Sequence, residues 1–288
     1  MAFNFSVFKV RTLSAIVFAI IMLGGLIWNN WSFFALFAVI AIGCLYEYQK
    51  LLALIFPSYQ NISVFHKWGL LVLGFILMMT LAPNNLGVNG VSVKYVGSRI
   101  LPFILGAMMA GEIATRKINL QNWAISFFGL VYIPMSLSLF YQLKGFMANT
   151  FFGDWGFSIP LLVIASIWVN DTMAYIVGSL IGRTPLSPVS PKKTWEGTIA
   201  GVILSVLLVT KVLGIWIPIQ EKFIFMISLV ASITGNFGDL FESKLKRMAG
   251  VKDSGSMMPG HGGFLDRFDS ILLATPFVWL LLDIMYHQ

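Results

Sequence analysis

The chain has 288 residues, of which 58% are hydrophobic and only 11% charged, with a formal net charge of +7. Soluble domains carry about 25% charged residues, so this chain cannot dress a water-facing surface, and the bilayer must solvate most of it. The positive excess does not indicate nucleic acid, because the basic residues fall in short runs between apolar stretches, the habit of cytoplasmic loops in membrane proteins.

A spanning helix needs about 20 mostly apolar residues. Nine stretches are candidates in chain order: 13–28, 31–46, 68–82, 98–115, 122–143, 157–182, 198–218, 222–242 and 270–286. Lys9 and Arg11 before the run from Leu13 imitate a secretory signal. Trp28-Asn29-Asn30-Trp31 follows in place of a small-residue cleavage site, so a retained first span is expected. Only Asn29 and Asn30 separate the first two spans, which predicts a tight helical hairpin. Stretch 51–56 is apolar but too short to cross and is ended by Pro57; it reads as a re-entrant or interfacial piece. Cys44, the single cysteine, lies in an apolar stretch and excludes an internal disulfide or a cysteine-based zinc site.

With the N-terminus inside, one side of the membrane holds 14 of the 19 lysines and arginines and the other holds Lys94, Arg99, Lys144 and Lys222, with Lys211 inside a span. That imbalance predicts N-terminus in and C-terminus out, and it puts loops 183–197 and 243–269 together on the cytoplasmic side. The expected fold class is an all-α, polytopic membrane protein. Residues 1–150 are expected to form an N-terminal scaffold that is chemically quiet. The reactive residues crowd into 151–288, where a catalytic region is expected.

Asp171 lies inside span 157–182, where a lone carboxylate costs ~2.5–3.5 kcal/mol on insertion scales. It is expected to face a polar cavity or a cation, or else a neighbouring helix. Asp239 stands at the end of span 222–242, among Gly235 and Gly238. The loop after it contains Ser243, Lys246, Arg247, Lys252, Asp253, Pro259, His261, Gly262, Gly263, Asp266, Arg267 and Asp269. On a helix, Asp266 and Asp269 share a face, as do Asp239 and Ser243. Paired carboxylates of this kind are hard oxygen ligands suited to Mg²⁺, which would also bridge nucleotide phosphates. The glycine turn can aim backbone N–H groups at an anion, and the cations answer phosphate charge. A solvated juxtamembrane segment would explain the lysines but not the acids or the His-Gly-Gly turn. The second loop offers Ser190, Lys192, Lys193, Thr194, Trp195 and Glu196, a set able to hold a nucleotide's charge and base. Lys211 reads as a snorkelling side chain, Asp283 and His287 as structural, and Glu112 and His66 are left undecided.

The stretch 243–269 closely resembles the signature of phosphatidate cytidylyltransferases. Every fixed position is met by Ser243, Lys246, Arg247, Lys252, Asp253, Pro259, His261, Gly262, Gly263, Asp266, Arg267 and Asp269, with Met258 as a conservative departure from leucine, isoleucine or phenylalanine. The segment Ser190 to Gly197, together with Asn170-Asp171-Thr172 and Gly238-Asp239, is similar to further segments of that family. The resemblance covers residues 160–286; the N-terminal spans match only as a generic multi-span region.

The resemblance implies transfer of CMP from CTP to phosphatidic acid, releasing pyrophosphate, in a Mg²⁺-dependent reaction with a second cation such as K⁺ and in a homodimer. Asp239, Asp266, Asp269 and Asp171 are the expected metal ligands. Lys246, Arg247 and Arg267 are expected at the reacting phosphates. Ser190, Lys192, Lys193, Thr194, Trp195, Glu196, Ser243, Lys252, His261, Gly262 and Gly263 are expected to bind substrate. The location implied is a bacterial inner membrane with the site facing the cytoplasm. CTP chemistry on an isoprenoid lipid or lipid phosphate shares the same needs and is the nearest alternative. A transporter is the rival of a different class, but its polar residues should cluster at the midplane of broken helices in related halves.

Overall fold

The computed structural model describes residues 5–147, 156–257 and 262–286, so Met258, Pro259, Gly260, His261 and His287 lie outside the described residues. The described chain runs α1 (Phe5–Ile27), α2 (Asn30–Ile55), α3 (Pro57–Gln60), α4 (Val64–Thr80), β1 (Gly87–Val88), β2 (Val91–Ser92), α5 (Val93–Thr115), α6 (Leu120–Leu130), a π-helical turn (Val131–Met135) and α7 (Ser136–Gln142). It continues through α8 (Ser158–Ile181), β3 (Pro185–Ser187), β4 (Ser190–Thr194), α9 (Trp195–Leu208), a second π-helical turn (Val209–Leu213), α10 (Glu221–Met248) and α11 (Leu265–Tyr286). Among the described residues, seven helical segments are long and apolar enough to cross a membrane: Asn30–Ile55, Val93–Thr115, Leu120–Phe146, Ser158–Ile181, Trp195–Leu213, Glu221–Met248 and Leu265–Tyr286. Leu13–Ile27 and Val64–Thr80 are shorter apolar helices. The protein is an all-α, polytopic membrane protein whose β-structure, among the described residues, is two short hairpins.

The chain divides into two compact units, one of Met1–Ser138 with Met248–Phe268 and the other of Leu139–Arg247 with Asp269–Gln288. Ser254, Gly262, Gly263 and Asp266 thus belong to the unit built from the N-terminal helices.

In the first unit, Asn29 caps α2 by accepting from the Ser32 amide at 2.7 Å, and the Ser32 hydroxyl accepts from the Asn29 amide at 3.0 Å. This reciprocal box turns the chain within two residues, as the two asparagines suggest. α2 then runs unbroken through the stretch expected to be interfacial, because Glu47, Tyr48 and Gln49 are buried and partnered. Tyr48 donates to the Ile125 carbonyl at 3.1 Å and Gln49 to the Lys67 carbonyl at 3.2 Å. The expectation of a separate re-entrant piece at 51–56 is therefore corrected: Leu51 and Leu52 are core of a continuous helix, and Pro57 opens α3 at its first turn, where a missing N–H costs nothing.

Asn89 and Gly90, with φ of 51° and 81°, form the turn of the β1–β2 hairpin, the backbone that an Asn-Gly pair favours. Glu112 and His66 are both buried. The Ser63 hydroxyl donates to Glu112 and also caps α4, while His66 Nε2 lies 2.7 Å from the Ser126 hydroxyl. These groups brace the first unit from inside.

In the second unit, α8 and α9 pack through small residues. A Cβ at Gly201 would meet the Asn170 carbonyl and Ala174, and one at Gly197 would meet the Ala174 carbonyl. Close backbone approach of this kind is how helices associate where lipid supplies no hydrophobic drive. A polar ladder fixes their register against α10. Ser205 donates to the Ser166 carbonyl at 2.7 Å, Ser232 to Ser205 at 3.1 Å, and the Asn170 amide to the Asn236 side-chain oxygen at 3.2 Å. In a medium without water, each buried polar group must find such a partner.

Candidate active site

Four elements of the second unit carry its reactive residues, and each is placed by a local rule. Ser190–Thr194 was expected as a loop but forms strand β4, paired antiparallel with β3. The hairpin is tied to the start of α9 at both ends. Thr194 caps that helix by accepting from the Gly197 amide at 3.2 Å. The Glu196 carboxylate accepts from the Arg183 and Thr184 amides, each at 3.2 Å. The role of Glu196 is thus to hold the hairpin. Lys192 and Trp195 are exposed, and Lys193 is turned inward.

α10 extends to Met248, six residues beyond the predicted span, so Ser243, Lys246 and Arg247 stand on a helix rather than in a loop. Its amphipathic end is the reason: Glu242 is buried and pairs with Lys246 one turn on, while Lys244 and Arg247 are exposed. Gly238 sets the contact with α11, since a Cβ there would run into the Asp269 carbonyl and lie 3.0 Å from the Ser270 Cα. Only glycine allows that approach.

The consequence is an acidic cluster. Asp239, Glu242 and Asp269 each bring a carboxylate oxygen within 4.8 Å of the others. Asp269 is buried and accepts from the Ser270 amide at 2.7 Å; Ser243 lies 3.5 Å from Asp239. Lys193 forms an ion pair with Asp239. Burial alone would lower the pKa of the Lys193 ammonium, but Asp239, Asp171 and Asp269 together more than offset it, so the net shift is upward and the charge is held. Asp171 is exposed on α8, with the Asn170 amide 3.3 Å from its oxygen.

Four carboxylates therefore gather against two lysines. An all-oxygen donor set with surplus negative charge fits a hard divalent cation such as Mg²⁺ and not a thiophilic metal. The same arrangement, cations beside acids, can hold a triphosphate and stabilise charge moving along it.

The first unit places the remaining signature residues. Asp266 lies in the first turn of α11 and accepts from the Gly263 amide at 2.7 Å and from the Ser254 amide at 2.9 Å. Gly262 has a φ of 82°, and a Cβ there would press on the Asp266 carboxylate. Lys252 and Arg267 are exposed. Two acids of the described geometry were not picked out from the sequence. Glu242 could have been, because it stands three residues from Asp239, the spacing applied to Asp266 and Asp269. Glu47 could not; nothing local marks it.

The cytidylyltransferase family profile matches residues 9–285. The chain is similar to a phosphatidate cytidylyltransferase of Staphylococcus epidermidis, 31% identical over 282 residues that cover 95% of this chain and 98% of the relative. It is also similar to the enzyme of that name from Synechocystis, 45% identical over 163 residues covering 53% of this chain and 54% of the relative. A third, from Bacillus subtilis, is 39% identical over 154 residues, covering 53% and 55%. With the match spanning nearly its whole length and the signature residues in place, this chain belongs to the cytidylyltransferase family.

Proposed function

We infer that this protein transfers CMP from CTP to phosphatidic acid, giving CDP-diacylglycerol and pyrophosphate within a membrane. The observation that carries the reading is the acidic cluster of Asp239, Glu242 and Asp269 with Lys193 paired to Asp239. The names of its full-length relatives support the choice of substrates.

A phosphate oxygen of the lipid attacks the α-phosphorus of CTP, and the bond to the bridging oxygen of the β-phosphate breaks, so that pyrophosphate leaves in line. The nucleophile is already an anion, so no general base is needed. The protein's work is to bring two anions together and hold them in line. Asp239, Glu242 and Asp269 would hold Mg²⁺, which when bound offsets triphosphate charge and makes the α-phosphorus more electrophilic. Asp171 borders the same cluster, and Asp266 keeps its place among the proposed ligands on the strength of the sequence signature. Lys193, Lys246 and Arg247 neutralise the phosphates, with Lys192 and the Ser243 hydroxyl as further contacts, and Arg267 and Lys252 are proposed for the same task on the strength of the sequence signature. Ser190, Thr194 and Trp195 frame the nucleotide, with Glu196 locking their hairpin. Gly262, Gly263 and His261 keep their proposed place near phosphate on the strength of the sequence signature, while the Gly263 amide is held by Asp266.

The proposed topology is nine crossings with the N-terminus and the site on the cytoplasmic side, supported by the lysine and arginine imbalance. A homodimer and a second cation such as K⁺ complete the proposal, both on the family resemblance. The test is purified protein with CTP, phosphatidic acid and Mg²⁺, followed by pyrophosphate release, with ATP in place of CTP and polyprenyl phosphate or polyprenol in place of the lipid, CDP being followed for polyprenol because its phosphorylation by CTP releases CDP. Pyrophosphate only with CTP and phosphatidic acid is the expected result; turnover only with the isoprenoid substrates would replace the lipid assignment.

A further inference from the structure

Glu47 is a buried carboxylate on α2, within one of the apolar helices long enough to cross a membrane. An acid in such a helix is costly to keep and needs a reason. Its partners, all in the same compact unit, lie more than 200 residues away in the chain. One oxygen accepts from the Phe264 amide at 3.0 Å, and the other from the Leu265 amide at 2.9 Å and the Ser254 hydroxyl at 2.7 Å. Phe264 and Leu265 supply the first amides of α11, where unpaired N–H groups and the helix dipole favour a negative charge. Gly255 and Gly263 close the cradle, because a Cβ at either would collide with the Glu47 carboxylate. The Ser254 hydroxyl is also 2.9 Å from Asp266. One carboxylate therefore grips both ends of the 254–265 segment and the helix that carries Asp266.

We propose that Glu47 is a positioning residue for the reaction: it fixes the glycine segment and the start of α11 in the geometry that the phosphate-handling turn requires, acting through Ser254, Gly263 and Asp266. This rests on the reading of function above. A glutamine is the right size but turns an N–H₂ toward amide donors, so it cannot serve both sides of the cradle. An aspartate keeps the charge but is one methylene short.

The experiment compares wild-type, Glu47→Gln, Glu47→Asp and Ser254→Ala proteins, each purified as the full chain. Amide exchange over 252–266 reads the segment directly, without needing turnover. Exchange at Phe264 and Leu265 is expected to rise about tenfold or more in Glu47→Gln. In the same protein, kcat is expected to fall about 10- to 100-fold, with KM for phosphatidic acid little changed. Glu47→Asp should fall between, and adding Ser254→Ala to Glu47→Gln should cost less than the separate effects predict, because both act on one network. Unchanged exchange at Phe264 and Leu265 would overturn the proposal. So would faster exchange with full kcat in folded protein. If Glu47→Gln does not fold, Glu47→Asp and Ser254→Ala decide by the same two measurements. Absence of CDP-diacylglycerol synthesis by the wild-type protein would instead remove the reading of function, and the exchange data would still report what Glu47 holds.

Discussion

Lys193 of strand β4 is paired with Asp239 of α10, and this contact joins the hairpin to the acidic cluster. It brings a cation from one element and a carboxylate from another to a common point, as a site for a phosphate anion and a divalent cation requires. Lys193→Met is expected to lower kcat/KM for CTP about 100-fold, with Lys193→Arg recovering part of the loss. Steady-state pyrophosphate release at varied CTP checks both.

The same lysine bears on pH dependence. Its pKa in the folded protein lies above the ordinary 10.5, since the surrounding acids outweigh burial. The stabilisation it gives is therefore fully present below 10.5 and is lost only as pH rises through the higher, folded value. Any alkaline decline of activity below about pH 10 must come from other groups. The pH–rate profiles of wild-type and Lys193→Arg proteins should keep the same shape through that range.

Metal dependence should track the acidic cluster. Chelation with EDTA is expected to abolish turnover, and added Mg²⁺ to restore it. Glu242→Gln and Asp269→Asn are each expected to raise the half-saturating Mg²⁺ about tenfold or more, read from titrations of initial rate. Arg116, exposed in the turn that follows α5, supplies a control: its replacement by glutamine should leave the titration unmoved.

Gly238→Ala tests the packing that assembles those acids. A methyl group there must push α10 away from the Asp269 carbonyl, at a cost of about 1–3 kcal/mol. The expected outcome is a lower unfolding midpoint in detergent together with weaker Mg²⁺ activation.

Asp266→Ala is expected to abolish turnover while leaving folded, membrane-inserted protein. Size-exclusion chromatography alongside the activity assay separates these two properties.

Much of this was legible in the sequence because the bilayer imposes a simple rule on length and polarity. Each of the nine apolar stretches corresponds to a helix of the described chain. The errors lie where polar residues are buried. Hydropathy ended the second span near Tyr46, yet Glu47, Tyr48 and Gln49 are inside and α2 continues to Ile55, because partners distant in sequence satisfy them. The same blindness ended α10 at Glu242, when its final turns are simply amphipathic. The signature acids were visible as residue types at fixed spacing. Their convergence was expected from the shared metal assignment, but that α10 meets the Asp269 backbone at Gly238 was not visible, since Gly238 has no side chain to announce a contact. Glu47 was hidden more deeply: its meaning depends entirely on Ser254, Phe264 and Leu265.

The asparagine pair linking α8 and α10 sets the rotation of one helix against the other. α8 and α9 are neighbours in sequence, joined by a short hairpin and fitted through Gly197 and Gly201. Asn170 on α8 meets Asn236 on α10 at 3.2 Å, and both side chains are buried. With Asn236 turned to that partner, Asp239 three residues on is the acid that meets Lys193. An uncharged residue deep in the helix pair thus acts as the alignment pin for the charged ones above it.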